Sequence, residues 1–400
     1  MTATPYGASV KRFHEEEPRT VSMPLLRIDP LLLLATLGLV ACGIYTIYTA
    51  TDGDIPGSPY YYMIRQGAYA GVGLVLMLLV SRFDYSRLRE WRWALYGVMV
   101  FTILVTLGLG SVRGSKRWIS LPFFNFQPSE LGKVLLTLAL AGFLVDRTRR
   151  LGEREATARI MLLTVIPTML VIAQPDLGSA FVYIAIALAL LFVAGTKWTH
   201  FAALGVLGAA AVTAVLVLAP MAGVHVIKDY QVQRLTAFVH PTDNPRKQGY
   251  QLKQSITAIG AGEKSGRGPN GATQTKLDFI PEHHTDFVYS VVGEEFGFVG
   301  AATVLSLYAL VIWRGLRILT MAKNLYGSLI AGGIVVMLMF QVFVNVGMTV
   351  GIMPITGVPL PLMSYGGSSV IVTLLAIGLL QSVHVQAREI AQAKGRQNLL

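Results

Sequence analysis

Long apolar stretches recur along the 400-residue chain, with short polar or charged segments between them. A helix needs about 20 apolar residues to cross a bilayer, and several of these stretches are close to the lower limit. The pattern predicts an all-α integral membrane protein with about ten transmembrane helices. The predicted spans lie near residues 30–50, 62–81, 94–110, 129–146, 158–174, 177–194, 200–221, 287–312, 325–350 and 365–385.

The remaining pattern divides the chain into an arm, a membrane domain and a tail. Residues 1–28 are polar and mixed in charge, which predicts a flexible N-terminal arm. A membrane domain over 29–385 and a tail over 386–400 follow. Gln174-Pro175-Asp176 leaves two interpretations open at the fifth and sixth spans: two helices joined by a tight turn, or one broken helix.

Composition supports the membrane assignment and excludes several function classes. Only 14% of the residues are charged and 53% are hydrophobic, whereas a typical soluble domain is about 25% charged. The net charge of +11 would suggest nucleic acid in a soluble protein. Here we assign it to lysine and arginine facing cytoplasmic lipid, together with an anionic substrate, and expect no nucleic-acid partner. Phosphate-binding and dinucleotide motifs are absent, so no organic cofactor is expected.

Most of the basic residues fall in segments that place both termini in the cytoplasm. This orientation makes 222–286 a large extracytoplasmic loop between spans seven and eight, with an amphipathic stretch at 250–262. The outer segment 112–133 carries basic residues beside aromatic ones, which is typical of a segment lying at the membrane interface.

Asp286 lies at the predicted outer start of the eighth span. Thr285 or Asp286 could simply cap the helix, or Asp286 could be a general base at the lipid–water boundary. Small residues then recur on one predicted helical face headed by Asp286, at Ser290, Gly293, Gly297 and Gly300.

Other charged residues lie at membrane depth. Glu294 and Glu295 are two turns beyond Asp286, and the preferred interpretation is a structural ion pair with Lys133 or Arg65. Glu130 and Lys133 are spaced i, i+3, which predicts an ion pair. That pair could stabilise its helix or line an anionic site together with the cations Arg113, Lys116 and Arg117, which could hold a pyrophosphate or a lipid head group.

Two further segments have candidate chemistry. Adjacent His283 and His284 lack the spacing of a histidine metal site, although a divalent ion held by carboxylates and substrate phosphates stays open. Residues 351–370 hold three prolines and four glycines without a charge. This predicts a re-entrant or cavity-lining loop that ends at a helix N-terminus. Ser364 and Ser368 could bind an anion there or cap the helix.

Five blocks of sequence occur in order: KRWISLPFFNFQPSELGK (116–133), QPDLGSA (174–180), DYQVQRLTAF (229–238), PEHHTDFVYSVVGEEFG (281–297) and GVPLPLMSYGGSSV (357–370). Together they resemble the SEDS family (shape, elongation, division and sporulation). Within that family, NFQPSE (125–130), the stretch ending in TKLDFIPE at 282, and GVPLPLMSYGG (357–367) resemble the RodA branch more than the FtsW branch. The stretch 261–271 departs from the family pattern, which leaves the conformation of that loop open.

The resemblance implies a peptidoglycan glycosyltransferase of the bacterial cytoplasmic membrane. It would polymerise lipid II into a glycan strand at the outer face, alongside a class B penicillin-binding protein and the elongation machinery. The alternatives are an FtsW-type septal polymerase, a lipid II flippase and a non-catalytic scaffold for the crosslinking partner. The family's essential aspartate matches Asp286, and its paired charges match Glu130 and Lys133.

The leaving pyrophosphate calls for cations, and a bound Mg²⁺ or Mn²⁺ fits this chemistry. The candidate substrate-binding residues are Arg113, Lys116, Arg117, Trp118, Gln127, Ser129, Glu130, Lys133, His284, Ser364 and Ser368.

Overall fold

The computed structural model describes residues 28–52, 55, 57–108, 117–120, 124–146, 154–214, 218–221, 248–277, 279–280 and 282–397. The N-terminal arm, Arg113, Lys116 and the block at 229–238 therefore lie outside the described residues. Eleven helices of fourteen residues or more are found within the described part. They are α1 (Pro30–Thr51), α2 (Tyr61–Ser81), α3 (Arg92–Gly108), α4 (Pro128–Val145), α5 (Arg154–Ala173), α6 (Leu177–Val193), α7 (Trp198–Thr213), α8 (Gln248–Ala261), α9 (Val288–Met321), α10 (Leu325–Thr349) and α11 (Gly367–Gln397).

The apolar helices coincide with the predicted spans. Seven are long and apolar enough to cross a membrane, namely α1, α2, α4, α5, α9, α10 and α11, while α3, α6 and α7 are shorter apolar helices. The prediction of a multi-pass helical membrane protein is confirmed, and the count of ten spans stays a prediction. At Gln174-Pro175-Asp176 the chain forms two separate helices, α5 and α6, which pack against each other.

The helices differ in how deeply they are buried. Most residues in the apolar part of α4, α10 and α11 are buried inside the protein, whereas most of those in α2 are not. α2 packs on α1 and α11. α4 contacts α3, α6 and α10, and α9 contacts α1 and α10. The site described below is built where α4, α9 and α11 begin, at the edge of this core.

The described part of the long 222–286 segment contains the predicted amphipathic helix. α8 buries Leu252, Ser255 and Ala258, three residues apart, and exposes Lys253 and Thr257. It packs on α9 and α10, so this part of the large loop belongs to the folded domain.

α9 is not the continuous helix that the small-residue face predicted. Gly297 has φ 62° and ψ −159°, which breaks the helix. The turn after α8 enters the break, where Arg267 N donates to Glu294 O (2.9 Å) and Gly268 N donates to Glu295 O (2.9 Å). Glycine allows this conformation at no steric cost. The predicted close packing therefore occurs, but between α9 and the 261–268 turn.

Gly262 is expected to be intolerant of a side chain. A Cβ there would lie 1.8 Å from Gly293 O, whereas a Cβ on Gly260 meets nothing within 4 Å. Gly262→Ala should destabilise the protein by about 1–3 kcal/mol through overpacking. Gly260→Ala, inside α8, should be neutral or slightly stabilising. Thermal unfolding in detergent compares the two, and equal midpoints would contradict the close approach.

The predicted ion pair of Glu294 or Glu295 with Lys133 or Arg65 is wrong, because neither contact occurs among the described residues. The Glu294 carboxylate accepts from Gln274 N (2.8 Å), Thr275 N (3.0 Å) and Thr275 Oγ1 (2.7 Å). It thereby caps the helical turn Thr273–Lys276. Glu295 accepts from Thr49 Oγ1 (2.6 Å). Glu294 therefore holds the Thr273–Lys276 turn against α9, and Glu295 holds α1 against α9.

Candidate active site

Asp286 lies in a turn directly before α9, and its side chain is partly exposed. The N-cap of α9 is Phe287, whose side chain makes no capping hydrogen bond. The capping interpretation of Thr285 or Asp286 is therefore wrong, since the helix begins later than the sequence indicated. Thr285 Oγ1 instead donates to Glu282 Oε2 (2.9 Å). Asp286 therefore precedes the N-cap residue of α9 and lies, partly exposed, at the edge of the protein.

Three hydrogen bonds fix the backbone of this turn. Asn345 Nδ2 on α10 donates to Asp286 O (2.9 Å). Ser364 Oγ donates to Thr285 O (2.6 Å), and Tyr365 N donates to His284 O (2.9 Å). Consecutive carbonyl groups are held from two other parts of the fold, so the position of Asp286 depends on α10 and on the 351–366 segment.

The later part of the 351–366 segment is irregular backbone enclosed by protein, as predicted, whereas Ile352 near its start is 62% exposed. Leu360, Leu362, Met363 and Ser364 are all almost completely buried. Ser364 Oγ accepts from Leu360 N (2.8 Å) in addition to its bond to the Asp286 turn. Its hydroxyl is therefore engaged by backbone on both sides, which makes Ser364 a positioning residue for the turn.

Ser368, at the start of α11, connects the same segment to a small hairpin. The hairpin pairs Ile119–Ser120 with Asn125–Phe126 in antiparallel register. Gln127 N donates to Ser368 Oγ (2.9 Å), and Ser368 Oγ donates to Asn125 O (3.0 Å). The end of the hairpin and the start of α4 are thus held beside the 351–366 segment.

A buried carboxylate network at the start of α4 was missed in the sequence. Asp176, at the N-terminus of α6, is only 4% exposed. Its Oδ2 accepts from Gln127 Nε2 (2.9 Å) and Ser129 Oγ (3.0 Å), and its Oδ1 accepts from Ser179 N (3.1 Å). The signal available was an aspartate directly before an apolar run, a pattern typical of helix N-caps.

The network reaches the Asp286 turn through backbone contacts. Asn345 Nδ2 also donates to Val358 O (2.8 Å). A Cβ on Gly178 would lie 2.6 Å from Val358 Cγ2, so α6 approaches this segment closely. Asn345 and Val358 therefore connect the turn that carries Asp286 with the helix that carries Asp176.

Glu130 and Lys133 form the predicted ion pair, with Nζ and Oε1 2.5 Å apart. The two residues are 3% and 1% exposed. Tyr183 OH donates to Ser129 O (3.1 Å) and lies against Gly132, which closes one side of the pair. The ammonium group is enclosed in protein, one turn into α4 from the Gln127–Asp176 network.

Aromatic and cationic side chains surround the Asp286 turn. The Tyr62 ring lies 5.0 Å from both His284 and Tyr365, measured between centroids. The Arg65 guanidinium lies 4.8 Å from the Tyr61 ring centre. The Tyr365 ring also lies 5.8 Å from the His284 ring, so its phenol belongs to the same aromatic group and can serve as a hydrogen-bond donor.

The remaining candidates are distributed around this site. The Arg117 guanidinium lies 5.8 Å from the Trp118 ring centre, directly before the hairpin. His283 is buried, with Nδ1 3.2 Å from Ile280 O. Over the described part of the chain, no three His, Cys, Asp or Glu residues are grouped to hold a metal ion.

A family model described as "Cell cycle protein", named for FtsW, RodA and SpoVE, matches residues 25–389. Peptidoglycan glycosyltransferase MrdB of Escherichia coli (strain K12) is 35% identical over 369 residues, covering 92% of this chain and 96% of MrdB. The probable peptidoglycan glycosyltransferase FtsW of Thioalkalivibrio sulfidiphilus is 40% identical over 373 residues, covering 91% of each. A solved structure concerned with the coordination of polymerization and crosslinking by a peptidoglycan synthase complex contains a chain of similar fold. Its TM-score is 0.76 at 32% identity, covering 90% of this chain and 98% of that one. The chain therefore belongs to the SEDS family of FtsW, RodA and SpoVE proteins.

Proposed function

We propose that this chain is a peptidoglycan glycosyltransferase that extends glycan strands from lipid II, for cell elongation and shape. Relatives named as such enzymes match along almost the whole chain. The observation that carries the proposal is the position of Asp286. Its turn is anchored to α10 and the 351–366 segment, while its side chain stays partly exposed. A carboxylate fixed in this way is suited to accept a proton from a substrate hydroxyl.

The reaction requires a base and support for a leaving group. An acceptor sugar hydroxyl attacks the anomeric carbon of the donor, forming a glycosidic C–O bond, while the C–O bond to undecaprenyl pyrophosphate breaks. Asp286 takes the hydroxyl proton as a general base, which typically contributes about 10²–10⁴-fold to the rate. The electron pair of the broken bond leaves with the pyrophosphate.

Cations at the site support the departing pyrophosphate in this proposal. Arg117 lies shortly before the hairpin, and Arg113 and Lys116 come before Arg117 in the sequence. Lys133 is buried with Glu130, so its positive charge would act through the protein, where charges interact more strongly than in water. Gln127, Ser129 and Ser368 hold the hairpin and α4 in register with the 351–366 segment.

A divalent cation, Mg²⁺ or Mn²⁺, is proposed to assist at the pyrophosphate. The described residues offer no group of three metal-ligating side chains, so most ligands would come from substrate phosphates, as is usual for Mg²⁺. Chelation with EDTA should then lower the rate of polymerisation, and either ion should restore it. An unchanged rate in EDTA would remove the ion from the proposal.

The proposed location of the site is the outer face of the cytoplasmic membrane, with both termini in the cytoplasm. The distribution of basic residues supports this orientation. Labelling of Lys264→Cys by an impermeant maleimide in intact spheroplasts tests it in a background without Cys42. Labelling only after permeabilisation would show that the protein has the opposite orientation.

We also propose a class B penicillin-binding protein as the partner. The related solved chain comes from a study of polymerization and crosslinking coordinated within one peptidoglycan synthase complex. A nascent strand leaving Asp286 would reach such a transpeptidase on the same side of the membrane. Co-purification of the two full-length proteins is the measurement, and their separate elution would contradict the pairing.

A lipid II flippase is the second candidate function. The buried charges Glu130, Lys133, Glu294 and Glu295 favour it, because charged groups at membrane depth often mark transport pathways. Each carboxylate, however, accepts a hydrogen bond from protein. Glycan synthesis by the purified protein in detergent separates the two functions, because detergent micelles have no leaflets between which to flip a lipid.

A further inference from the structure

A cavity of about 280 Å³ lies between the start of α3, the end of α4 and the start of α5. α4 has 18 residues and therefore extends over about 27 Å. It begins beside the candidate active site and ends next to Asp146, which lines the cavity. Because the hydrocarbon core of a bilayer is about 30 Å thick, the cavity lies at the membrane surface opposite to Asp286.

The wall of this cavity has an apolar side. Phe143, Ile160 and Leu163 line it together with Trp93. The Trp93 and Phe143 rings meet edge to face, 4.5 Å between centroids, and Trp93 is 55% exposed. A tryptophan at this depth is typical of the membrane interface. The apolar side is therefore placed to contact the upper part of a lipid acyl chain.

The other side of the cavity carries excess positive charge. Asp146 pairs with Arg89 (2.8 Å) and Arg92 (2.7 Å). Arg159 is exposed on α5, lines the cavity, and forms no ion pair among the described residues. Two guanidinium groups, those of Arg92 and Arg159, thus line the cavity with one carboxylate, Asp146, which is also paired with Arg89 from outside the lining. This leaves an anion-binding capacity beside the apolar wall.

We propose that this cavity binds an anionic phospholipid. The lipid phosphate lies between Arg159 and Arg92, and the first carbons of an acyl chain lie against Phe143, Ile160 and Leu163. Basic pockets between membrane helices favour anionic head groups. The apolar wall favours a phospholipid over a free phosphate ion, because only the phospholipid has an acyl chain that can pack against it.

Native mass spectrometry of the purified full-length protein tests the site, with phosphatidylglycerol and phosphatidylcholine of equal chain length. Phosphatidylglycerol should be retained preferentially. Arg159→Gln should lower its retention about fivefold. Arg154→Gln removes another exposed arginine of α5 that does not line the cavity, and it should leave retention unchanged. Leu163→Gln should lower retention without a change in charge.

Several results would overturn the proposal. Equal retention of the two lipids would remove the preference for anionic lipid. Equal losses in Arg159→Gln and Arg154→Gln would reduce the effect to general surface charge. Competition by soluble glycerol phosphate, together with normal retention in Leu163→Gln, would indicate a free-anion site. Unfolding temperatures of all three variants in detergent confirm that they are folded.

Discussion

Asp286→Asn is expected to slow lipid II polymerisation by about 10²–10⁴-fold, the usual contribution of a general base. Asparagine has the size and shape of aspartate but cannot accept the proton of the attacking hydroxyl. The Asp286 turn is fixed through its backbone carbonyl by Asn345, and that contact does not depend on the carboxylate. The variant should therefore fold normally, and initial rates of glycan formation measure the loss.

The matched control for this variant is Glu282→Gln. Glu282 lies in the same turn and is exposed, so it undergoes the same change of charge without a catalytic role. It should keep the parental rate. Co-purification with the crosslinking partner confirms that neither variant has lost the complex. Near-normal polymerisation by Asp286→Asn would remove the residue from the base role and favour a non-catalytic scaffold.

The second large effect is expected at the buried Glu130–Lys133 pair. Lys133→Met leaves the Glu130 carboxylate buried without its partner, and Glu130→Gln does the same to the ammonium group. Breaking a buried pair from one side typically costs about 3–5 kcal/mol. Both single variants should have a lower unfolding temperature in detergent and reduced polymerisation.

The double variant Glu130→Gln/Lys133→Met distinguishes a role of the ion pair in stabilising the pyrophosphate from a role in stabilising the fold. It leaves no uncompensated buried charge, so stability should return toward that of the parent. Polymerisation should stay low, because the positive charge proposed to favour pyrophosphate is still absent. Recovery of both properties would make the pair purely structural. Unchanged activity in both single variants would exclude it from the reaction.

The order and extent of the helices could be predicted from the sequence because hydrophobic runs are local and long. The fourth span, predicted at 129–146, is found at Pro128–Val145, and the ninth, predicted at 325–350, is found at Leu325–Thr349. The Glu130–Lys133 pair was predictable for the same reason, since i, i+3 spacing fixes the distance between two side chains on one helix.

Contacts between distant segments could not be predicted in this way. The break of α9 at Gly297 depends on the 261–268 turn, which inserts backbone where a helix would otherwise continue. Glu294 meets the amide of Thr275 for the same reason. Periodicity along α9 contains no information about this neighbour, so it predicted an unbroken helical face. The cost of a charge at membrane depth predicted an ion pair instead.

The residues of the candidate site also differ in whether the sequence alone could indicate them. Asp286 stood out because ionisable groups at the start of a membrane span are costly and often functional. Asn345 and Asp176 did not stand out, because one lies within an apolar helix and the other resembles an ordinary helix cap. Their roles appear only where Asn345 joins Asp286 O to Val358 O, and where Asp176 gathers Gln127 and Ser129.

Glycan synthesis by the purified protein in detergent tests the central claim most directly. The protein is supplied with lipid II, with and without its penicillin-binding partner, and products are separated by gel electrophoresis. Glycan chains and an equivalent release of undecaprenyl pyrophosphate are expected, and both should be lost in Asp286→Asn. Unchanged lipid II in detergent, combined with lipid II translocation across proteoliposomes, would contradict the account and favour a flippase.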